Sequence, residues 1–366
     1  MDAVDTALVQ FENDKPNLIA YEQFPIEDAV RSAVRAINAN STLAEITKYD
    51  AILGQLFSES VQKILEAAAI EGKTTEGTTI TATEIAAIGS HGQTVLHLPD
   101  DTYPRSLQIG DPNIIAAKTG ITTIADFRRM DIAAGGQGAP LAPAFHNKVF
   151  RKQGTNRLIL NLGGIANITL LPGDLAAEIS GFDTGPGNGL LDDWNKLHNG
   201  TDMDKDGQWA ASGEINQNLL SAMLEDTYFK LPPAKSTGRD YFNLDWLENC
   251  LSSKPNALPT KDVQATLLSL TVESIATAVQ AHAAETSEIY VCGGGARNAL
   301  MMQCLKEKLP GQKIDTTNAL SLNPDAVEAV TFAWLAKQTL NKQPGNQPSV
   351  TAANAKTVLG GVYQSS

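Results

Sequence analysis

The stretch Gly181-Phe182-Asp183-Thr184-Gly185-Pro186-Gly187-Asn188 sets one carboxylate at a strand end, directly before a turn of glycines, a proline and an asparagine. Glycine lets the backbone reach φ > 0 and lie close to a ligand, while proline stiffens the turn. A helical run, Gly189 to Leu197, follows at once. The turn is therefore expected at a helix N-terminus, where amide N–H groups attract anions. A general base beside an anion-binding turn is the pairing that transfer from a phosphate donor requires. Taken alone, the stretch also reads as a capped strand-to-helix turn.

Two more glycine turns stand at strand ends. Arg157 to Leu162 is an apolar strand running into Gly163-Gly164-Ile165-Ala166-Asn167, with a second strand at Ile168 to Leu171. That pattern predicts a hairpin whose glycine turn wraps a phosphate in N–H groups. Glu288 to Cys292 is a short strand ending in Gly293-Gly294-Gly295, and a helix follows to about Lys308. Here the glycines would let a flat ring or a ribose lie on the backbone. Neither spacing is Gly-x-Gly-x-x-Gly or the Gly-Lys-Ser/Thr phosphate loop, so Rossmann and P-loop readings are unsupported.

At 366 residues the chain is long enough for two domains with separate cores. Its net charge of −13 argues against nucleic acid or an anionic membrane as partner, though not against a basic pocket for one nucleotide. Cys250, Cys292 and Cys304 lack Cys-x-x-Cys spacing and fit a reducing compartment. The five histidines form no zinc motif. No signal peptide and no run of 18 apolar residues is present.

Along the chain, Thr6–Phe11 and Leu18–Phe24 read as strands joined by a polar loop, followed by helices over 26–38 and 41–71 with a break near Asp50. Short strands at 85–89 and 122–125 lead into Ser90-His91-Gly92-Gln93-Thr94 and Asp126-Phe127-Arg128-Arg129. Gly135 to Pro140 reads as a flexible joint ahead of a helix at 141–151. Long helices are expected at 263–284 and 325–340, and a strand-like patch at 357–363. Strand pairs followed by alternating helices and strands, twice over, predict two α/β domains around a cleft. Ligands of such sheets sit beyond the carboxyl ends of the strands, which is where the polar clusters fall.

These segments resemble one family. GSHGQTV at 89–95, SLQIGD at 106–111, ADFRRMDIAAGGQGAPL at 125–141, LNLGGIANIT at 160–169, FDTGPGN at 182–188, KSTGRDYFN at 235–243 and VCGGGARN at 291–298 are similar, in order, to the anhydro-N-acetylmuramic acid kinases. DVQATL at 262–267 and QPSVTAA at 347–353 agree as well. The resemblance implies two actin-like (ribonuclease-H-like) α/β domains flanking a nucleotide and sugar cleft. Residues 1–125 with 345–366 would form the first domain and 126–344 the second. It also implies an unusual activity. Water opens the 1,6-anhydro bond of anhydro-N-acetylmuramic acid while ATP phosphorylates O6, giving N-acetylmuramic acid 6-phosphate for cell-wall recycling. Mg2+, a cytoplasmic location and a homodimer belong to the same set of expectations.

Carried over residue by residue, Asp183 resembles the base that activates water. His91, Thr94, Asp126, Arg129 and Glu328 would line or contact the sugar, an arginine suiting its lactyl carboxylate because the planar fork pairs two oxygens. Gly163, Gly164 and Asn167 match the second phosphate loop, and Gly293, Gly294 and Gly295 the adenosine loop. The residues alone allow plainer readings. Asp126 and Arg129 read as a surface pair worth under ~1 kcal/mol, Glu328 as a solvated helix residue, and His91 as a satisfied core histidine.

The family's pattern opens with a strand and Gly-x-Met-Ser-Gly-Thr-Ser-x-Asp, its first phosphate loop. Met1-Asp2-Ala3-Val4-Asp5 corresponds to the end of that motif. Asp2 matches the magnesium-associated aspartate, and Asp2, Ala3 and Asp5 would be what remains of the loop. An internal methionine taken as the start, with native residues upstream, is the expectation; a true truncation with lost turnover is the other. Two alternative functions stay open beside the leading one: a kinase for another sugar on the same fold, and a non-catalytic sugar sensor.

Overall fold

The computed structural model describes residues 3–70, 74–75, 78–252 and 257–365. Asp2, assigned above to phosphate and metal, lies outside the described residues. The chain forms two compact α/β units, residues 1–149 with 326–366 and residues 150–325. The domain boundaries expected at 125/126 and 344/345 thus stand at 149/150 and 325/326. The helix Val327–Leu340 belongs to the first unit because it packs on that unit's strands.

Strands β1 (Ala3–Glu12), β2 (Lys15–Pro25), β3 (Thr74–Thr75), β4 (Thr78–Thr79), β5 (Ile88–Gly89), β6 (Gln93–Leu98), β7 (Arg105–Ile109) and β8 (Thr123–Ala125) are in the first unit. Strands β9 (Arg157–Leu162), β10 (Ile165–Leu171), β11 (Ser180–Pro186), β12 (Glu288–Cys292) and β13 (Lys313–Thr316) are in the second, and β14 (Gly361–Tyr363) returns to the first.

In the second unit the strands form one sheet in the order β11-β10-β9-β12-β13. Only β10 runs against the others. Numbered within the unit, that is 3-2-1-4-5 with strand 2 reversed, the ribonuclease-H-like arrangement. The sequence explains the centre of the sheet. Leu158, Ile159 and Leu160 of β9 are all buried, as are Ile289, Tyr290, Val291 and Cys292 of β12. Continuous apolar runs of this kind belong in strands covered on both faces. The helix Thr260–His282 covers one side and is buried nearly all round, which marks a core helix. The hairpin expected at Gly163-Gly164 is present, with its second strand starting earlier, at Ile165.

The first unit carries β1–β2 as one antiparallel pair, β6–β7 as another, and a sheet in the order β14-β8-β5. The β1–β2 connection is tighter than the polar loop expected. Asn13 and Asp14 take φ of 48° and 67°, the two positive values of a two-residue hairpin turn. Asp14 then pairs with Lys337, and with Lys148 at 3.1 Å. The helix Leu43–Ile70 runs unbroken through Asp50. The carboxylate that suggested a break instead accepts the Gly110 amide at 2.7 Å, and burial raises its pKa.

The glycine-rich segment 135–140 is no flexible joint. Gly138 N donates to the buried carboxylate of Asp131 at 2.8 Å and Gly136 N to the Asp131 carbonyl at 2.9 Å. Asn346 Nδ2 and Thr351 Oγ1 hold the other Asp131 oxygen at 2.8 and 2.9 Å. The segment is therefore a fixed turn inside the first unit. No helix among the described residues is long and apolar enough to cross a membrane.

Candidate active site

Because β9, β11 and β12 are parallel, their carboxyl ends lie on one edge of the second unit's sheet, and all three glycine segments leave from that edge. The turns interlock. Gly187 N and Gly189 N donate to Gly164 O, each at 3.0 Å, and Asn188 N donates to Gly163 O at 2.8 Å. A Cβ on Gly187 would stand 2.3 Å from Gly163 O, so only glycine permits this approach. The amides of Gly187, Asn188 and Gly189, the last being the first residue of the helix Gly189–Asn199, are thus taken by backbone carbonyls. The Gly163 and Gly164 amides, by contrast, meet no acceptor among the described residues, and a Cβ on Gly294 would meet nothing within 4 Å. Gly293 (φ 82°) and Gly295 pack inward, against Asn161, Leu162 and Asn188. Of the three adenosine-loop glycines, Gly294 is the one whose face is open.

Asp183 lies on β11 directly opposite Asn167 of β10. The register slips here, since Ala166 faces Gly185 and Asn167 faces Asp183, leaving Thr184 as the extra residue of a β-bulge. Bulges re-aim side chains and recur beside functional sites. Thr184 turns inward, buried, with its hydroxyl on Ala166 O at 3.2 Å. The Asp183 carboxylate accepts the Thr237 amide at 2.9 Å through Oδ2. Burial outweighs that bond and pushes its pKa up to about 6. The segment around Thr237 is anchored to the same strand, with Asp183 N donating to Lys235 O at 3.1 Å. Tyr228 Oη donates to Asp183 O at 2.8 Å, and burial followed by the Asp183 charge raises the phenol's pKa. Thr237 and Tyr228 were missed as individual residues. Thr237 lies in the motif at 235–243, which was the available signal, whereas Tyr228 lies outside it, and contacts to a backbone amide or carbonyl leave no pattern in the sequence.

In the first unit, His91 follows β5 and stacks on Phe332 with ring centroids 4.5 Å apart. Arg128 Nε and Nη2 both point at His91 Nε2, at 3.1 and 2.9 Å. A guanidinium only donates, so Nε2 accepts and the ring proton sits on Nδ1. Burial and the Arg128 charge hold this histidine well below its ordinary pKa. Arg128 also donates to Gly138 O at 2.8 Å. It was missed because adjacent arginines at 128 and 129 look alike in sequence. Arg129 is the exposed one and grips Asp126 through Nε at 2.7 Å and also through Nη2. Asp126 takes φ 61°, uncommon for a non-glycine residue and a feature that clusters at functional sites. Glu328, in the first turn of its helix, is open to water yet has enough protein around it to raise its pKa; the Asp5 charge raises it further and Arg128 opposes. Asp5 on β1 accepts from Tyr21 Oη and Gln23 Nε2, and Ala3 pairs with Pro25. Thr94 on β6 accepts from Gln108 Nε2 at 3.2 Å.

A ribonuclease-H-like sheet with open glycine amides and a raised carboxylate at one strand edge has the parts that an α/β phosphotransferase needs. The sequence model of the anhydro-N-acetylmuramic acid kinase family matches residues 1–365, and the chain belongs to that family. It is 48% identical over 365 residues to the anhydro-N-acetylmuramic acid kinase of Coxiella burnetii (strain RSA 493 / Nine Mile phase I), covering 99% of this chain and 94% of that protein. The protein of the same name from Pasteurella multocida is 46% identical over 367 residues, with 99% and 94% covered. That from Photobacterium profundum is 44% identical over 375 residues, with 100% and 96% covered. Among solved structures, the activator of the 2-hydroxyisocaproyl-CoA dehydratase from Clostridium difficile with bound ADPNP aligns with a TM-score of 0.42 at 12% identity. That alignment covers 92% of this chain and 97% of the other.

Proposed function

We propose that this chain converts 1,6-anhydro-N-acetylmuramic acid and ATP, with water, to N-acetylmuramic acid 6-phosphate and ADP. The observation that carries the reading is Asp183: a carboxylate raised to about 6, held by one oxygen, on the sheet edge that also bears the open Gly163-Gly164 amides. Asp183 takes a proton from water and the water oxygen attacks C1. The C1–O6 bond breaks, and O6 attacks the γ-phosphorus as the bond to ADP breaks. An ordinary glycosidase needs an acid to protonate the leaving oxygen. Here that oxygen passes its developing charge to phosphorus, so one base suffices.

The family resemblance supports the remaining roles. Gly163, Gly164 and Asn167 contact phosphate, and Gly293 to Gly295 the adenosine. His91, Thr94, Asp126, Arg129 and Glu328 hold the sugar, with Arg129 on its carboxylate. Asp2, Ala3 and Asp5 complete the phosphate contacts. Mg2+ in such kinases is held by one or two carboxylates together with substrate phosphates. Asp2 is the proposed ligand, and among the described residues no group of three or more His, Cys, Asp or Glu forms a metal cluster. A cytoplasmic homodimer acting in cell-wall recycling is the setting that the family supports.

The test is turnover in ¹⁸O-water, followed by mass spectrometry of the product. Label at C1 with one ADP formed per sugar is expected. Label in the phosphate, or ATP use that ignores the anhydro sugar, would overturn the reading.

A further inference from the structure

The loop that fixes Asp183 continues to Arg239, to which no role has been assigned. Arg239 folds back over the interlocked glycine turns: a Cβ on Gly164 would lie 3.2 Å from its Cδ, and one on Gly189 3.4 Å from its Nε. Nη2 donates to Asp193 Oδ1 at 2.6 Å, in a pair whose side chains are 40% and 31% exposed. Nε and Nη1 meet no acceptor among the described residues. The neighbouring cation, Lys235, is committed elsewhere, to Tyr228 O at 3.0 Å and over the Tyr228 ring.

We propose that Arg239 is a movable phosphate-binding residue, parked on Asp193 without nucleotide and swinging onto the terminal phosphates of ATP when they enter the Gly163-Gly164 turn. The inference rests on the reading of that turn as the phosphate site. A chain of net charge −13 must bring positive charge locally to a polyphosphate. A guanidinium suits the task because its planar fork pairs two phosphate oxygens. Asp193 suits the parking role because half-exposed ion pairs are weak and exchange readily. At 40% exposure the remaining Arg239 donors are hydrated, so they stay available to an incoming phosphate beside the glycine amides.

Opposite signs from the two partners separate this from a structural ion pair. R239Q and D193N each delete the pair, so a structural role predicts the same effect from both. The proposal predicts that R239Q weakens ATP binding about 10- to 100-fold, the size of a lost charged hydrogen bond, with AMP binding unchanged. D193N, which removes the competitor, should bind ATP as tightly as the parent or a few-fold tighter. Calorimetric titration of all three proteins with ATP and AMP reads this, and thermal melting confirms that each variant is folded. Equal losses of ATP affinity in both variants, or none in R239Q, would overturn the role of Arg239 while leaving the phosphate site standing. A parent chain whose ATP and AMP affinities are alike would remove the phosphate site itself, and this inference with it.

Discussion

The amide of Thr237 holds Oδ2 of Asp183 at 2.9 Å, leaving Oδ1 with no protein donor among the described residues. One oxygen is anchored and the other is available to take a proton, the arrangement a general base needs. Asp183→Asn keeps the shape and still accepts from Thr237, but cannot take the proton. Its kcat is expected to fall by about 10²- to 10⁴-fold, with ATP Kd nearly unchanged because the Gly163 and Gly164 amides are untouched. Single-turnover kinetics beside calorimetry check the split. A fully active variant would take Asp183 out of the mechanism.

The raised pKa of Asp183 makes a paired prediction about rate and stability. The base works when deprotonated, so kcat/KM should climb with pH up to about 6 and level off above it. For stability the sign is opposite. The folded state binds the proton more tightly than the unfolded chain, so stability declines as pH rises from about 4 to about 6. Two pKa units correspond to at most ~3 kcal/mol. Asp183→Asn should therefore melt higher than the parent at pH 8 and lose that advantage at pH 4. A melting difference that does not change with pH would contradict it.

His91 predicts the reverse pH response. Its neutral ring accepts from Arg128, and its pKa is depressed by burial and that charge. The stability this provides is fully present above the unfolded value near 6.5 and is lost as pH falls towards the lower folded value. His91→Leu leaves the half-buried guanidinium short of an acceptor and should cost about 1–3 kcal/mol. His91→Gln, which retains an acceptor, should recover part of it. Melting curves from pH 5 to 8 should also show His91→Leu losing less on acidification than the parent. A leucine variant as stable as the parent would mean that the Arg128 contact has no energetic weight.

Regular local patterns made much of the second unit legible. The apolar run Leu158 to Leu162, interrupted once by Asn161 and running into two glycines, reads as a buried strand entering a turn, and the hairpin follows. Non-local partners were not legible. The amides of Gly187, Asn188 and Gly189 look like an anion site until the Gly163 and Gly164 carbonyls occupy them. Asp50 looks like a helix break until Gly110 reaches it from 60 residues away. Asp131, whose partners lie as far away as Asn346 and Thr351, turns an apparent hinge into a fixed turn. Sequence spacing carries the positions of Asp183 and Asn167, but the bulge that sets them opposite each other is a matter of register.

Neighbouring glycines in the loop 293–295 separate folding from ligand approach. Gly293 has φ 82°, and a Cβ there would stand 2.5 Å from Asn161 Oδ1 and 2.8 Å from Leu162 O. Gly293→Ala meets both an unfavourable backbone region and a backbone oxygen, so it should cost about 1–3 kcal/mol and lower the melting temperature. At Gly294 an added Cβ has nothing within 4 Å. Gly294→Ala should melt like the parent, yet its methyl group projects from the face on which adenosine is proposed to lie. ATP affinity should then drop with no loss of stability. Thermal melts and calorimetric titration of both variants make the comparison. Unchanged ATP affinity in folded Gly294→Ala would move the nucleotide away from this loop.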